Sequence, residues 1–110
     1  MKPRSVELLW WRECPSWERA LAILREEAEG AGLDPASIRV TEVRDQIDAE
    51  RLAFHGSPTI RIDDQDVAGS AEGPIGLTCR IYRRADGRVS PLPDPEQIRT
   101  ALRRAERNSA

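Results

Sequence analysis

The spacing of apolar and polar positions divides the chain into short segments. Val6-Glu7-Leu8-Leu9-Trp10 is apolar and partly alternating, which predicts a strand buried on both faces. Trp17, Ala20, Leu21, Leu24 and Ala28 then recur at helical spacing and predict one apolar stripe. Glu26, Glu27 and Glu29 fall outside that stripe, and Gly30 and Gly32 end the helix. Asp34-Pro35 marks a turn, and Ile38 to Val43 alternates as a second strand. Asp45 to Phe54 predicts a short helix stopped at Gly56. Gly56-Ser57-Pro58 leads into a third strand ending at Ile62, Asp63 to Asp66 forms a turn, and Val67-Ala68 starts a returning strand.

The next stretch is less regular. Ser70 to Gly76 reads as a loop, Leu77 to Tyr82 as extended chain, and Ala85-Asp86-Gly87-Arg88 as another turn. Pro91, Pro93 and Pro95 keep the chain open up to a last helix. That helix starts sharply, with Asp94 as N-cap, Pro95 in the first turn and Gln97 completing a capping box. Ile98, Ala101, Leu102 and Ala105 form its buried stripe. The order β-α-β-α-β-(β)-…-α predicts an α/β fold, with parallel pairing across each strand–helix–strand unit and helices on both sides of a small sheet.

Length changes this picture little. A chain of 110 residues is one domain's worth and buries roughly two-thirds of its surface on folding. We expect a single domain over residues 1–110, with an irregular insertion at about 69–93. Composition excludes more. A net charge of −2 offers no basic field for nucleic acid, and no apolar run is long enough to span a bilayer. The basic start Met1-Lys2-Pro3-Arg4 is followed by an apolar stretch that Glu7 and Arg12 interrupt, so no secretory signal is expected and the reading is cytoplasmic. Two cysteines, Cys14 and Cys79, are too few for a disulfide scaffold.

Cys14 carries the strongest chemical signal. It lies after the first strand and before the first helix, with Pro15 suited to the first helical position, so Cys14 is expected as the N-cap, in competition with Ser16. A thiol there faces unpaired N–H groups and the positive end of the helix dipole, which favour thiolate. Pro58 is the second signal. A proline opening a strand marks either an edge or a cis bond in a tight turn.

Together these residues resemble the thioredoxin-like superfamily. The resemblance rests on a strand followed by Trp10-Trp11-Arg12-Glu13-Cys14-Pro15-Ser16-Trp17 and a helix, with Gly56-Ser57-Pro58-Thr59 about forty residues later and a C-terminal helix. It covers most of residues 4–69 and 94–107. It implies a single-domain thioredoxin-like fold with a central sheet of about four strands, a cis Pro58 beside Cys14, and a Ser57 backbone that pairs with an extended thiol substrate. It also implies thiol–disulfide exchange with Cys14 as nucleophile, without a cofactor. The chain departs from the dithiol pattern where Trp17 replaces the second cysteine of Cys-x-x-Cys. The resolving thiol is then Cys79 or an external thiol.

Two readings of Cys79 stay open. Either it alternates inward on a strand as a small hydrophobe, or its segment folds over the first helix terminus and resolves a Cys14 mixed disulfide, with Arg80 stabilising a thiolate. The chain also looks like short thioredoxin-like proteins grouped by name with alkylmercury lyases. That resemblance implies soft-metal or organomercurial handling by Cys14 and Cys79, with Glu13, Asp63 or Asp66 as candidate acids. A third reading is a non-catalytic thioredoxin-like module that binds a peptide beside Pro58.

The remaining candidates are plainer. Trp10 and Trp11 point to opposite faces, one into the core and the other flanking Cys14 as an apolar platform. His55 ends the second helix or serves as a base for Cys14. Asp63, Asp64 and Asp66 read as a solvated turn and not as a metal site. Arg80, Arg83, Arg84 and Arg88, like Arg99, Arg103, Arg104 and Arg107, read as solvated faces. The expected partner is a thiol or disulfide, protein or small molecule, with neither nucleic acid nor membrane.

Overall fold

Strand β1 (Val6–Trp10) sits inside a four-stranded sheet because its residues are apolar toward both faces: Leu8 and Leu9, successive in sequence, are each fully buried. The computed structural model describes residues 3, 5–69, 73–84 and 86–108. β1 pairs in parallel with β2 (Arg39–Glu42), from Glu7 opposite Arg39 to Trp10 opposite Glu42. On its other side it pairs antiparallel with β3 (Thr59–Ile62), from Val6 opposite Ile62 to Leu9 opposite Thr59, so the second strand–helix–strand unit does not run parallel as expected. β4 (Gln65–Asp66) extends β3 antiparallel, giving the order β2-β1-β3-β4.

The helices cover the two faces unequally. α1 (Trp17–Gly30) and α3 (Pro95–Asn108) share one face, where Leu8, Leu24, Ile60, Ile98 and Leu102 form the main core. The expected α1 stripe is the one that packs, with Ala20, Leu21, Leu24 and Ala28 buried. Arg99 of α3 binds Glu27 of α1 through Nε at 2.9 Å and Nη2 at 3.2 Å, so this arginine is not simply solvated. The other face carries α2 (Gln46–Arg51) and a smaller cluster of Leu9, Val43, Ala49 and Phe54.

Several boundaries differ from the sequence expectation for local reasons. α2 is six residues long and does not reach Phe54, because Leu52 caps it and Ala53 turns left-handed at φ 51°. Asp45 is its N-cap, accepting from the Asp48 N–H at 2.8 Å. The hairpin turn is only Asp63-Asp64, with φ of 51° and 66°, as a two-residue primed turn requires. β4 therefore starts at Gln65, two positions before the expected Val67.

A second hairpin joins β5 (Tyr82–Arg83) to β6 (Val89–Ser90), with Gly87 at φ 88° in its turn. Ala85 of that turn, residues 70–72 of the expected loop, and Met1, Lys2 and Arg4 of the basic start lie outside the described residues. At α3, Asp94 caps as expected through Oδ1, which accepts from the Glu96 N–H at 2.9 Å. The capping box is not closed: Gln97 Oε1 is buried and has no hydrogen-bond partner among the described residues. No described helix is long and apolar enough to cross a membrane.

Candidate functional site

Cys14 ends a turn that leaves β1. Its N–H donates to the Trp11 carbonyl at 2.9 Å, and Arg12 and Glu13 project into solvent between them. The N-cap of α1 is Ser16, not Cys14, because Pro15 lies outside the helix and α1 begins at Trp17. Cys14 thus sits two residues before the cap, and the expected dipole contact is replaced by a side-chain bond. The Cys14 thiol, 3% exposed, donates to the Ser57 carbonyl at 3.4 Å. Trp17 is half-buried and stacks on Trp10, ring centroids 4.0 Å apart, which fixes the start of α1 on the sheet.

Ser57 is the hub of the site. The Ser57–Pro58 peptide bond is cis. Ser57 Oγ accepts the Trp11 N–H at 3.0 Å, tying the residue to the Cys14 turn. Its backbone N–H donates to the Thr78 carbonyl at 2.8 Å, and its carbonyl accepts the Arg80 N–H at 2.8 Å. These two bonds form a parallel bridge between Ser57 and Cys79. The backbone edge that the sequence reading reserved for an extended substrate is therefore filled by the chain's own segment. The approach is close: a Cβ on Gly56, itself at φ 122°, would meet Arg80 Cβ at 3.2 Å and Thr78 Cγ2 at 3.3 Å.

This bridge sets Cys79 against the residue whose carbonyl accepts the Cys14 thiol. Burial first, and then the charge and a side-chain hydrogen bond of Cys14, push the Cys79 thiol above its ordinary range. Cys79 nevertheless remains exposed, while Cys14 is buried. Of the two readings of Cys79, the inward small hydrophobe is excluded, because the alternation runs in the opposite phase. Tyr82 is fully buried and the Arg80 side chain is 10% exposed, whereas Cys79 and Ile81 face out.

Arg80 is not a solvated surface residue, and its guanidinium is committed away from the sulfurs. It forms a two-pronged ion pair with Asp66, with Nη2 to Oδ1 at 3.0 Å and Nη1 to Oδ2. Nη1 also reaches Thr59 Oγ1 at 3.3 Å, and the group lies 4.7 Å from the Tyr82 ring centroid. Burial alone would weaken the Arg80 charge, but Asp66 and Tyr82 outweigh it and hold the group firmly protonated. The Tyr82 hydroxyl donates to the Pro58 carbonyl, and burial pushes that phenol far above its usual range. Sequence reasoning missed this arrangement. Its only trace was an arginine and a tyrosine at alternate positions of an apolar segment.

The other candidates fall around this centre. Trp11 packs against the smaller cluster and, with Arg12, Glu13, Glu42, Arg44 and Leu77, lines a recess of about 470 Å³. His55 lies beyond the end of α2, not at its last turn, and its Nδ1–H donates to the Gly73 carbonyl at 2.8 Å, so that nitrogen is not available to Cys14. Asp63 and Asp64 form the turn, while Asp66 is fixed by Arg80. No group of three or more His, Cys, Asp or Glu side chains among the described residues is suited to a metal ion. A larger groove of about 1000 Å³ between the Asp63-Asp64 turn and α3 has none of Cys14, Ser57, Pro58 or Cys79 in its walls. No family model, curated protein or solved structure matches the chain.

Proposed function

We propose that the chain is a thioredoxin-like protein in which Cys14 and Cys79 form a dithiol–disulfide couple for exchange with an external disulfide. The observation that carries the reading is that the Cys14 thiol and the backbone flanking Cys79 both bond to Ser57. The sheet order β2-β1-β3-β4, with α1 and α3 on one face and α2 on the other, supports the likeness, as does the cis Pro58 beside Cys14. Cys79 takes the role of the second cysteine, whose position in the pattern Trp17 occupies.

Exposure orders the chemistry. Cys79, the accessible sulfur, loses its proton and attacks a disulfide RSSR, forming a Cys79–S–S–R bond and expelling RS⁻. Cys14 then loses its proton, attacks Cys79 Sγ and expels the second RS⁻, leaving a Cys14–Cys79 disulfide. The two protons end on the two RSH products, the couple is oxidised by two electrons and RSSR is reduced. This order inverts the expectation that Cys14 attacks first.

The test is equilibration in dithiothreitol redox buffers, followed by acid quench and intact mass. The expected result is loss of two hydrogens and a peptide linking residues 14 and 79. Separate Cys14→Ser and Cys79→Ser variants test the order: Cys14→Ser is expected to trap a mixed disulfide faster. Faster trapping by Cys79→Ser assigns the first attack to Cys14, and absence of the linked peptide overturns the proposal.

A second reading has one supporting observation. Two thiols that share Ser57, with no third ligand grouped with them among the described residues, suit a soft, two-coordinate ion such as Cu(I). One-to-one Cu(I) binding lost in both cysteine variants supports it. Organomercurial cleavage gains nothing from Asp66, whose carboxylate is paired with Arg80.

A further inference from the structure

Cys79 is held beside Cys14 by very little of its own. Its segment meets Ser57 through one isolated bridge of two backbone bonds, not through a ladder. The side chain of the next residue does the fastening. Arg80 reaches from the segment to Asp66 on β4 and Thr59 on β3, and it lies over Tyr82, whose hydroxyl reaches Pro58. Asp66, Thr59 and Pro58 belong to the strands and turn that carry Ser57, while Tyr82 lies in the segment of Cys79 itself. A planar guanidinium satisfies a carboxylate with two parallel bonds, which fixes direction as well as distance, and an ammonium does not.

We propose that Arg80 is a positioning residue: its fork on Asp66 fixes the segment carrying Cys79 and thereby sets how readily Cys79 and Cys14 join. This inference rests on the dithiol reading above. Arg80 touches neither sulfur in this role. Any slack in its side chain passes to Cys79 through a single peptide unit, so the effective concentration of one thiol at the other falls when the fork is lost.

The test compares wild type, Arg80→Ala, Arg80→Lys and the charge-removing pair Asp66→Asn/Arg80→Gln in dithiothreitol redox buffers, with thermal melts of both redox forms. Arg80→Ala is expected to shift the Cys14–Cys79 equilibrium toward the dithiol by about tenfold, the weight of one charge-assisted hydrogen bond, with Arg80→Lys in between. The double variant leaves no uncompensated buried charge and keeps the test open if Arg80→Ala does not fold. A merely structural role lowers the stability of both redox forms alike and leaves the equilibrium unmoved. If wild type forms the disulfide and the variants that fold equilibrate like it, the role of Arg80 is overturned while the dithiol reading stands. If wild type forms no disulfide, the dithiol reading fails and this inference with it.

Discussion

Ser57 and Cys79 pair in parallel, the Ser57 N–H on Thr78 and the Arg80 N–H on Ser57, so one residue's backbone holds the strap that brings the second thiol to the first. The same Ser57 carbonyl accepts the Cys14 thiol. Both sulfurs are thereby referred to a single peptide group, and changes at either one are expected to be felt at the other.

The first consequence is a pH profile. Burial and the neighbouring Cys14 push the Cys79 thiol up, so its alkylation should lag behind that of a free thiol through the ordinary range near pH ~8.5. Cys14→Ser removes both Cys14 effects and leaves burial. The Cys79 profile should therefore move down in pH without reaching the free-thiol curve. Peptide-resolved iodoacetamide kinetics read this, and an unmoved profile rules out coupling of the two thiols.

Alkaline stability follows from the same direction. A thiol raised in the folded state contributes fully below its unfolded pKa of about 8.5, and that contribution is lost as pH rises through the folded value. Tyr82, raised by burial, acts in the same sense from about pH 10 upward. Urea midpoints should fall in two stages as pH rises. Tyr82→Phe should abolish the upper stage while costing about 1–2 kcal/mol at neutral pH through the unpaired Pro58 carbonyl.

Gly56 tests the strap from the other side. With φ at 122° and Arg80 Cβ 3.2 Å from where a side chain would begin, Gly56→Ala should destabilise by about 1–3 kcal/mol. It should also return Cys79 to ordinary thiol reactivity. Gly30→Ala is the control: its Cβ meets nothing within 4 Å, and a gain of about 0.5 kcal/mol is expected. Equal effects at the two positions in chemical denaturation would contradict the close approach.

Trp17 should matter to folding and not to exchange. Trp17→Ala removes the stack on Trp10, which should cost about 2–3 kcal/mol and flatten the near-ultraviolet circular dichroism. The Cys14–Cys79 equilibrium in dithiothreitol should stay where it is in wild type. A shift there would give Trp17 a part in the chemistry.

The sequence reading reached β1, the α1 stripe and the Asp94 cap, because each is set by local periodicity or by a cap within a few residues. It overran α2, where a left-handed Ala53 carries no sequence signature. It preferred Cys14 over Ser16 as N-cap because Pro15 is compatible with the first helical position, but Ser16, the competing cap, takes that place. Asp66 and Arg80 read as turn and surface because their pairing spans two segments that only the tertiary fold brings together. The position of Cys79 depended on the same long-range contact.

The strap is rooted as well as tipped. Gly76 donates to the Phe54 carbonyl at 3.0 Å, Gln46 Nε2 donates to the Ile75 carbonyl at 3.2 Å, and Ile75 and Leu77 pack onto the Leu9–Phe54 cluster. The thinly covered face of the sheet therefore shares its roof with the sulfur pair. If Cys79 joins Cys14 as proposed, that roof should open less often, so deuterium uptake at the Phe54 amide, bonded to Ala49 at 2.8 Å, should slow on oxidation.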